Sequence, residues 1–326
     1  MVAIAFTQSF IHRPIFKSST RAFTQPSLKM NSNILSVPDA IKRHSENAIF
    51  VDGSWHLSSR DGRKEFEDGP RIQNAKFFDI DDVARKGQNL PHMMPPKKLF
   101  AKVMDEFGVT PDSDLIVYGT EGCFSIPRAF YTLRAMGHPI DRLHLMQGSL
   151  KDWIDAGGPI ETGMQDSLKV SDLDDVAEDD IKYDKAVDAI NVVGMEKVMD
   201  VVASGSAESI IVDARSAGRF VGEAPEPRPG LRGGHMPGAF NVPFNILLDL
   251  DDGNKFRSKE DMIQIFKEAG VDVGTDKDII CTCGSGVTAC WLALALEECG
   301  RDPSKTFIYD GAWIEWASDA NTPVVK

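Results

Sequence analysis

The chain has 326 residues, with 36 Lys and Arg against 49 Asp and Glu, for a formal net charge of −13. That excess of acid speaks against nucleic acid as a partner, because phosphate contacts need clustered cations. Hydrophobic residues make up 42 % and charged residues 26 %, the balance of a globular protein with real cores. No stretch reaches the roughly 18 apolar residues of a membrane span, so no membrane association is expected.

The chain opens without acid. The first carboxylate is Asp39, while Arg13, Lys17, Arg21 and Lys29 stand among Ser, Thr and Phe. This is the composition of an organellar transit peptide. Residues 1–32 are therefore expected to be a disordered targeting segment that directs the chain to the mitochondrion. A plastid is the alternative, and a cytoplasmic location follows if the segment is only a tail.

The remainder divides into a unit at 33–163, an acidic, aromatic-poor linker at 164–189, and a second unit at 190–326, near the size of ordinary domains. The two units repeat one another. Residues 48–52 (AIFVD) correspond to 210–213 (IIVD), each a short β-branched run ending in Asp. Such runs suit buried parallel strands. Residues 114–118 (DLIVY) correspond to 278–282 (DIICT). Each is followed by a glycine-containing loop and a helical stretch, 128–136 in the first unit and 287–299 in the second, with Gly300 placed as a helix C-cap. Asp52 to Gly119 spans 67 positions (119 − 52) and Asp213 to Cys283 spans 70 (283 − 213). Alternation of strand and helix predicts α/β units, each a mostly parallel sheet with helices on both faces.

The five cysteines, Cys123, Cys281, Cys283, Cys290 and Cys299, are odd in number in a long chain without a secretory signal. That argues against a disulfide framework. The segment from Cys283 through Gly284, Ser285, Gly286 and Val287 to Thr288 follows a strand and opens a helix. Its glycines let successive amides converge, and the helix dipole adds positive character. Cys283 is therefore expected to act as a thiolate, in a cradle that also suits a persulfide anion. A Cys-x5-Arg phosphatase loop needs Arg where Ala289 stands. Zinc needs a second Cys or His pair that is missing. No metal and no organic cofactor are implied. The other thiols are expected to be structural, with Cys281 the one suited to redox pairing.

These residues resemble the mercaptopyruvate sulfurtransferases, relatives of thiosulfate sulfurtransferase (rhodanese), over about residues 33–320. The loop matches that family's mercaptopyruvate form. Thiosulfate enzymes carry basic residues where Gly284 and Ser285 stand. The resemblance implies two tandem rhodanese-like domains and a substrate clamp made by Arg219 and Arg228. Two planar guanidinium forks also suit a carboxylate on physical grounds, against the alternative of ion pairs with Glu223 or Glu226. Arg215 is expected to pair within its own unit. The resemblance also implies that Asp81 orients His92 and that His92 hydrogen-bonds Ser285 for proton relay. Gly284, Gly286, Val287 and Thr288 complete the binding loop. His44, His56, His138, His144 and His235 have no such task. Gly119 replaces the nucleophile in the first unit, and Cys123 lies too late in that loop to act.

The expected activity is transfer of sulfur from 3-mercaptopyruvate through a Cys283 persulfide to thioredoxin, glutathione or cyanide, by a monomer. Thiosulfate as donor and a non-enzymatic sulfur-carrier or binding module are the alternatives.

Overall fold

The computed structural model describes residues 32–326 apart from 58, 59, 88, 175, 250, 251, 253 and 254. The expected targeting segment lies, but for Ser32, outside the described residues.

Two five-stranded sheets organise the chain. The first runs, edge to edge, Lys76–Phe77, Ile49–Asp52, Leu115–Tyr118, Leu143–Gln147, Ile34–Ser36. The second runs Phe240–Asn241, Ser209–Asp213, Asp278–Thr282, Thr306–Tyr309, Val192–Val193. Numbered within its own half, each sheet has the order third, second, fourth, fifth, first, and every pairing is parallel. The register repeats too: Asp52 faces Tyr118 and Asp213 faces Thr282. Gly119 and Cys283 are thus the first residues beyond equivalent strand ends, as the repeat in the sequence predicts. Helices cover both faces, so the central strands are buried runs of β-branched residues.

The helices that follow these two loops, Ile126–Ala135 and Ala289–Glu298, pack against each other. Both are buried on nearly every residue, which only a helix enclosed on all sides can be. Arg134 and Glu297 pair across the contact at 2.7 Å, and the Trp291 indole donates to the Phe124 carbonyl at 2.9 Å. A single apolar core runs from Val51 and Phe130 to Leu292 and Ile308. Each fully buried Leu contributes about 1.5–3 kcal/mol, so burial outweighs helix propensity in joining the halves.

The 164–189 stretch differs from the expected solvated linker. Its described acids do face water, but Leu173, Tyr183 and Ala186 are buried against the first half. Tyr183 lies against His138 and Phe100. Arg63 donates to Ser167 and Leu168, and Lys102 to the Leu173 carbonyl. One aromatic ring and a few aliphatic side chains suffice to dock a segment whose composition is otherwise polar.

Candidate active site

Cys283 begins the turn between the strand Asp278–Thr282 and the helix Ala289–Glu298. Its carbonyl accepts from the Trp313 amide at 2.9 Å, and that of Gly284 from the Ile314 amide at 3.0 Å. The loop is thereby tied to the start of the helix Ala312–Ser318. Gly286 has φ of +79°, a conformation that glycine alone adopts freely. Among the described residues, none of the amides of residues 284–288 donates a hydrogen bond within the protein. Ser285, Gly286 and Val287 are nevertheless buried. Buried amides without acceptors are rare, and a run of five is a ready anion site. Val287's side chain belongs to the core, so only its backbone can serve a ligand. Gly284 and Thr288 are the half-buried members. Cys283 itself lies at the floor, 2 % exposed.

Arg219 reaches over this loop. A Cβ added to Gly284 would lie 2.8 Å from Arg219 Nη2. The expected alternative for Arg219, an ion pair with Glu226, is also present: Nη2 to Oε2 is 2.5 Å and Nε to Oε2 is 3.2 Å. The pair does not pull Arg219 off the loop. Glu226 is 3 % exposed in its side chain and also accepts from Arg215 Nη1 at 2.8 Å. Arg215 in turn pairs with Asp213 at 2.6 Å, within its own half as expected. Its guanidinium stacks 4.1 Å over the ring of Trp313, whose amide holds Cys283. Carboxylates and guanidinium groups alternate from Asp213 to Arg219, so each buried charge has a counter-charge. Arg228 is half-buried on the same loop, with no ion-pair partner among the described residues.

The first half brings Asp81 and His92. Asp81 Oδ1 lies 2.8 Å from His92 Nδ1, and its other oxygen accepts from the Trp55 indole at 2.5 Å. The Trp55 ring meets the imidazole edge-on, with centroids 4.7 Å apart. Burial raises the Asp81 pKa, but the His92 contact and charge and the Trp55 bond outweigh it, so the carboxyl sits below its usual value. The expected bond from His92 to Ser285 is not made. Both ring nitrogens are buried and lack an aligned hydrogen-bond partner, so the Asp81 carboxylate approaches off the N–H line. Relay bonds of this kind often close only around substrate. His92 also has φ of +58°, costing of order 1–3 kcal/mol. The neighbours described below hold it there.

The equivalent site in the first half is empty of chemistry. A Cβ on Gly119 would lie 2.8 Å from Ile126 Cγ1, so no nucleophilic side chain fits. Ser54 stands where the second half has Arg215: its amide caps Asp52 at 2.9 Å as the Arg215 amide caps Asp213. Asp52 is buried without that cation, and burial pushes its pKa up to about 6. Burial likewise raises the thiols of Cys123, Cys281, Cys290 (up to about 12) and Cys299 (up to about 11). Cys281 is fully enclosed, which removes it as a redox partner for outside thiols. A cavity of about 150 Å³ lined by Cys123, Ile126, Met146, Phe256 and Trp291 lies at this inert loop, away from Cys283.

Sequence reasoning missed Trp55, Arg128, Asp310 and the bridging role of Glu226. Glu226 was visible only as a rival partner for the arginines. Nothing local marks the other three, because their partners are far away in the chain.

A duplicated parallel sheet with one amide-rich cysteine loop defines a sulfurtransferase of the rhodanese class. The Rhodanese-like domain model matches residues 197–319. A 3-mercaptopyruvate sulfurtransferase of Mus musculus is 34 % identical over 286 residues, covering 86 % of this chain and 89 % of that protein. An Arabidopsis thaliana protein named thiosulfate/3-mercaptopyruvate sulfurtransferase 1, mitochondrial, is 31 % identical over 84 % of this chain and 73 % of its own. The crystal structure of SseA from Escherichia coli, described as a 3-mercaptopyruvate sulfotransferase of "Rhodanese" fold, superposes with a TM-score of 0.71. It is 30 % identical and covers 87 % of this chain and 99 % of that one. The chain belongs to the 3-mercaptopyruvate sulfurtransferase family.

Proposed function

We propose that this sulfurtransferase takes sulfur from 3-mercaptopyruvate and carries it on Cys283. Residues 33–163 act as the partner domain, 164–189 as the connection and 190–326 as the catalytic domain. The observation that carries the reading is the set of acceptor-free amides at 284–288 behind Cys283, with Arg219 above them. Arg219 and Arg228 bind the carboxylate and keto oxygen, and the Cys283 thiolate attacks the substrate sulfur. The S–S bond forms as the C–S bond breaks, and the electron pair leaves on carbon as the enolate of pyruvate. His92, oriented by Asp81, moves into bond with Ser285 once substrate is seated and delivers the proton to that carbon. The S–H proton of the new persulfide returns to His92, and the amides of Gly284, Ser285, Gly286, Val287 and Thr288 hold the resulting persulfide anion.

An acceptor thiol such as thioredoxin or glutathione, or cyanide, then takes the outer sulfur and restores the thiolate. The enzyme works as a monomer, and residues 1–32 direct it to the mitochondrion. Neutral Gly284 and Ser285 support mercaptopyruvate over thiosulfate, since a dianion is better met by cations at those positions.

Mixing the protein with mercaptopyruvate and cyanide should release pyruvate and thiocyanate, and Cys283→Ser should release neither. Faster turnover on thiosulfate would reverse the donor assignment. A mass spectrum with no added 32 Da, about one sulfur, on donor-treated Cys283 would favour the carrier-module reading.

A further inference from the structure

The half without a nucleophile reaches into the catalytic loop through one more residue. Arg128, on the helix Ile126–Ala135, is 1 % exposed. Its guanidinium donates to the Gly286 carbonyl at 3.4 Å, to the His92 carbonyl, and to Asp310 Oδ1 at 2.8 Å. The other oxygen of Asp310 accepts from the Met94 amide at 2.8 Å. Asp310 follows the strand Thr306–Tyr309 of the second half. A Cβ on Gly286 would lie 3.1 Å from Arg128 Nη1 and 3.2 Å from the Asp310 carbonyl. The loop thus rests directly on this pair. Burial opposes the Arg128 charge, yet Asp310, Cys290 and Cys283 together hold its pKa above the usual arginine value. The sulfur-transfer steps set out above make no use of either residue.

We propose that Arg128 and Asp310 are a positioning pair: Arg128 supplies buried positive charge beneath the Cys283 loop, and Asp310 limits how much of it the loop feels. The same contacts fix the backbone just after the strained His92, at its carbonyl and at the Met94 amide. A guanidinium suits the task because it stays charged when buried and offers five donors in a fixed plane. Arg128 lies on the first half and the loop on the second, so its field reaches the loop only when the halves are docked. The inert half therefore contributes electrostatics as well as His92.

The proposal rests on Cys283 being the nucleophile, and the test separates the two. Alkylation of Cys283 by iodoacetamide is followed by mass spectrometry on the full chain, at the pH where the wild-type rate is half its plateau. No donor or acceptor is needed. A wild-type Cys283 whose alkylation rate rises with pH no earlier than that of free cysteine would sink the nucleophile reading itself. Given a reactive wild type, Arg128→Gln should slow alkylation at least fivefold. Asp310→Asn should speed it toward the plateau, by up to twofold, and Arg128→Lys should stay within twofold of wild type. A purely structural pair would move both neutralising variants in the same direction. That result, or no change in either, overturns the proposal. Should Arg128→Gln not fold, Asp310→Asn decides alone: a faster rate supports the assignment, and a slower or equal rate rejects it.

Discussion

The guanidinium of Arg219 lies where a side chain on residue 284 would have to be, with Nη2 2.8 Å from that Cβ position. Glycine at 284 is thus a requirement of the arginine, beyond any requirement of the turn. Gly284→Ala should displace Arg219 and weaken substrate binding by the worth of a charged hydrogen bond, about 1.5–3 kcal/mol. The expected result is a rise in KM for mercaptopyruvate of about tenfold or more. Steady-state kinetics with an unchanged KM would show that Arg219 does not touch the substrate.

Glu226 balances two guanidinium groups from a buried position. Glu226→Gln keeps the shape and removes the charge, leaving Arg215 and Arg219 under-compensated. Breaking one member of a buried ion network costs on the order of 3 kcal/mol. The melting temperature should fall and KM should rise, while kcat per folded molecule changes little. A large loss confined to kcat would mean that Glu226 takes part in the chemistry directly.

Asp81 sits below its usual carboxylate value through His92 and Trp55, against the effect of burial. A depressed carboxyl contributes stability that is present above its unfolded pKa and is lost as pH falls through the folded one. Wild type should therefore exceed Asp81→Asn in stability at pH 6, and the two should converge at pH values well under the ordinary carboxylate pKa of about 3.9. At pH 7 the variant should also lose roughly tenfold to hundredfold in kcat, as for misplacing a proton donor. Equal rates would remove His92 from the proton path.

Asp52 gives the opposite sign. Its folded pKa of about 6 exceeds the ordinary 3.8, so the native state binds a proton more readily than the unfolded chain between those values. The native state loses stability as pH rises through that window and regains none above it. Asp52→Asn should therefore be the more stable protein at pH 7, by up to about 3 kcal/mol, and the advantage should close near pH 4. Urea titrations at both pH values measure it. A destabilised variant at pH 7 would mean that the charged carboxylate is better satisfied by Ser54 and Tyr118 than its burial suggests.

What the sequence made legible follows from how each feature is encoded. The strand runs ending at Asp52 and Asp213, and the loop from Cys283 to Thr288, are contiguous. Their spacing alone exposed the repeat and the anion cradle. That Arg215 pairs within its own unit was legible, but not that its partners are Asp213 and Glu226. Arg128 and Asp310 are 182 positions apart, and Trp55 and Asp81, 26 apart, follow different strands of the first sheet. Such partners are written in topology, and neither composition nor periodicity reports them. The unmade bond between His92 and Ser285 is a different case: the right segments converge, but a family motif does not specify which rotamer is held without substrate. Docking of 164–189 escaped notice because Leu173 and Tyr183 are sparse anchors in an acidic background.

The depth of Cys283 carries its own chemical consequence. A disulfide-like bond is opened at whichever sulfur the incoming nucleophile reaches, and only one choice regenerates the protein thiolate. With the cysteine 2 % exposed, an added sulfur is the first atom that any visitor meets. The inner atom lies buried at the floor of the loop. Regiochemistry is then decided by steric access, and the mixed disulfide that would stall the cycle is disfavoured by geometry.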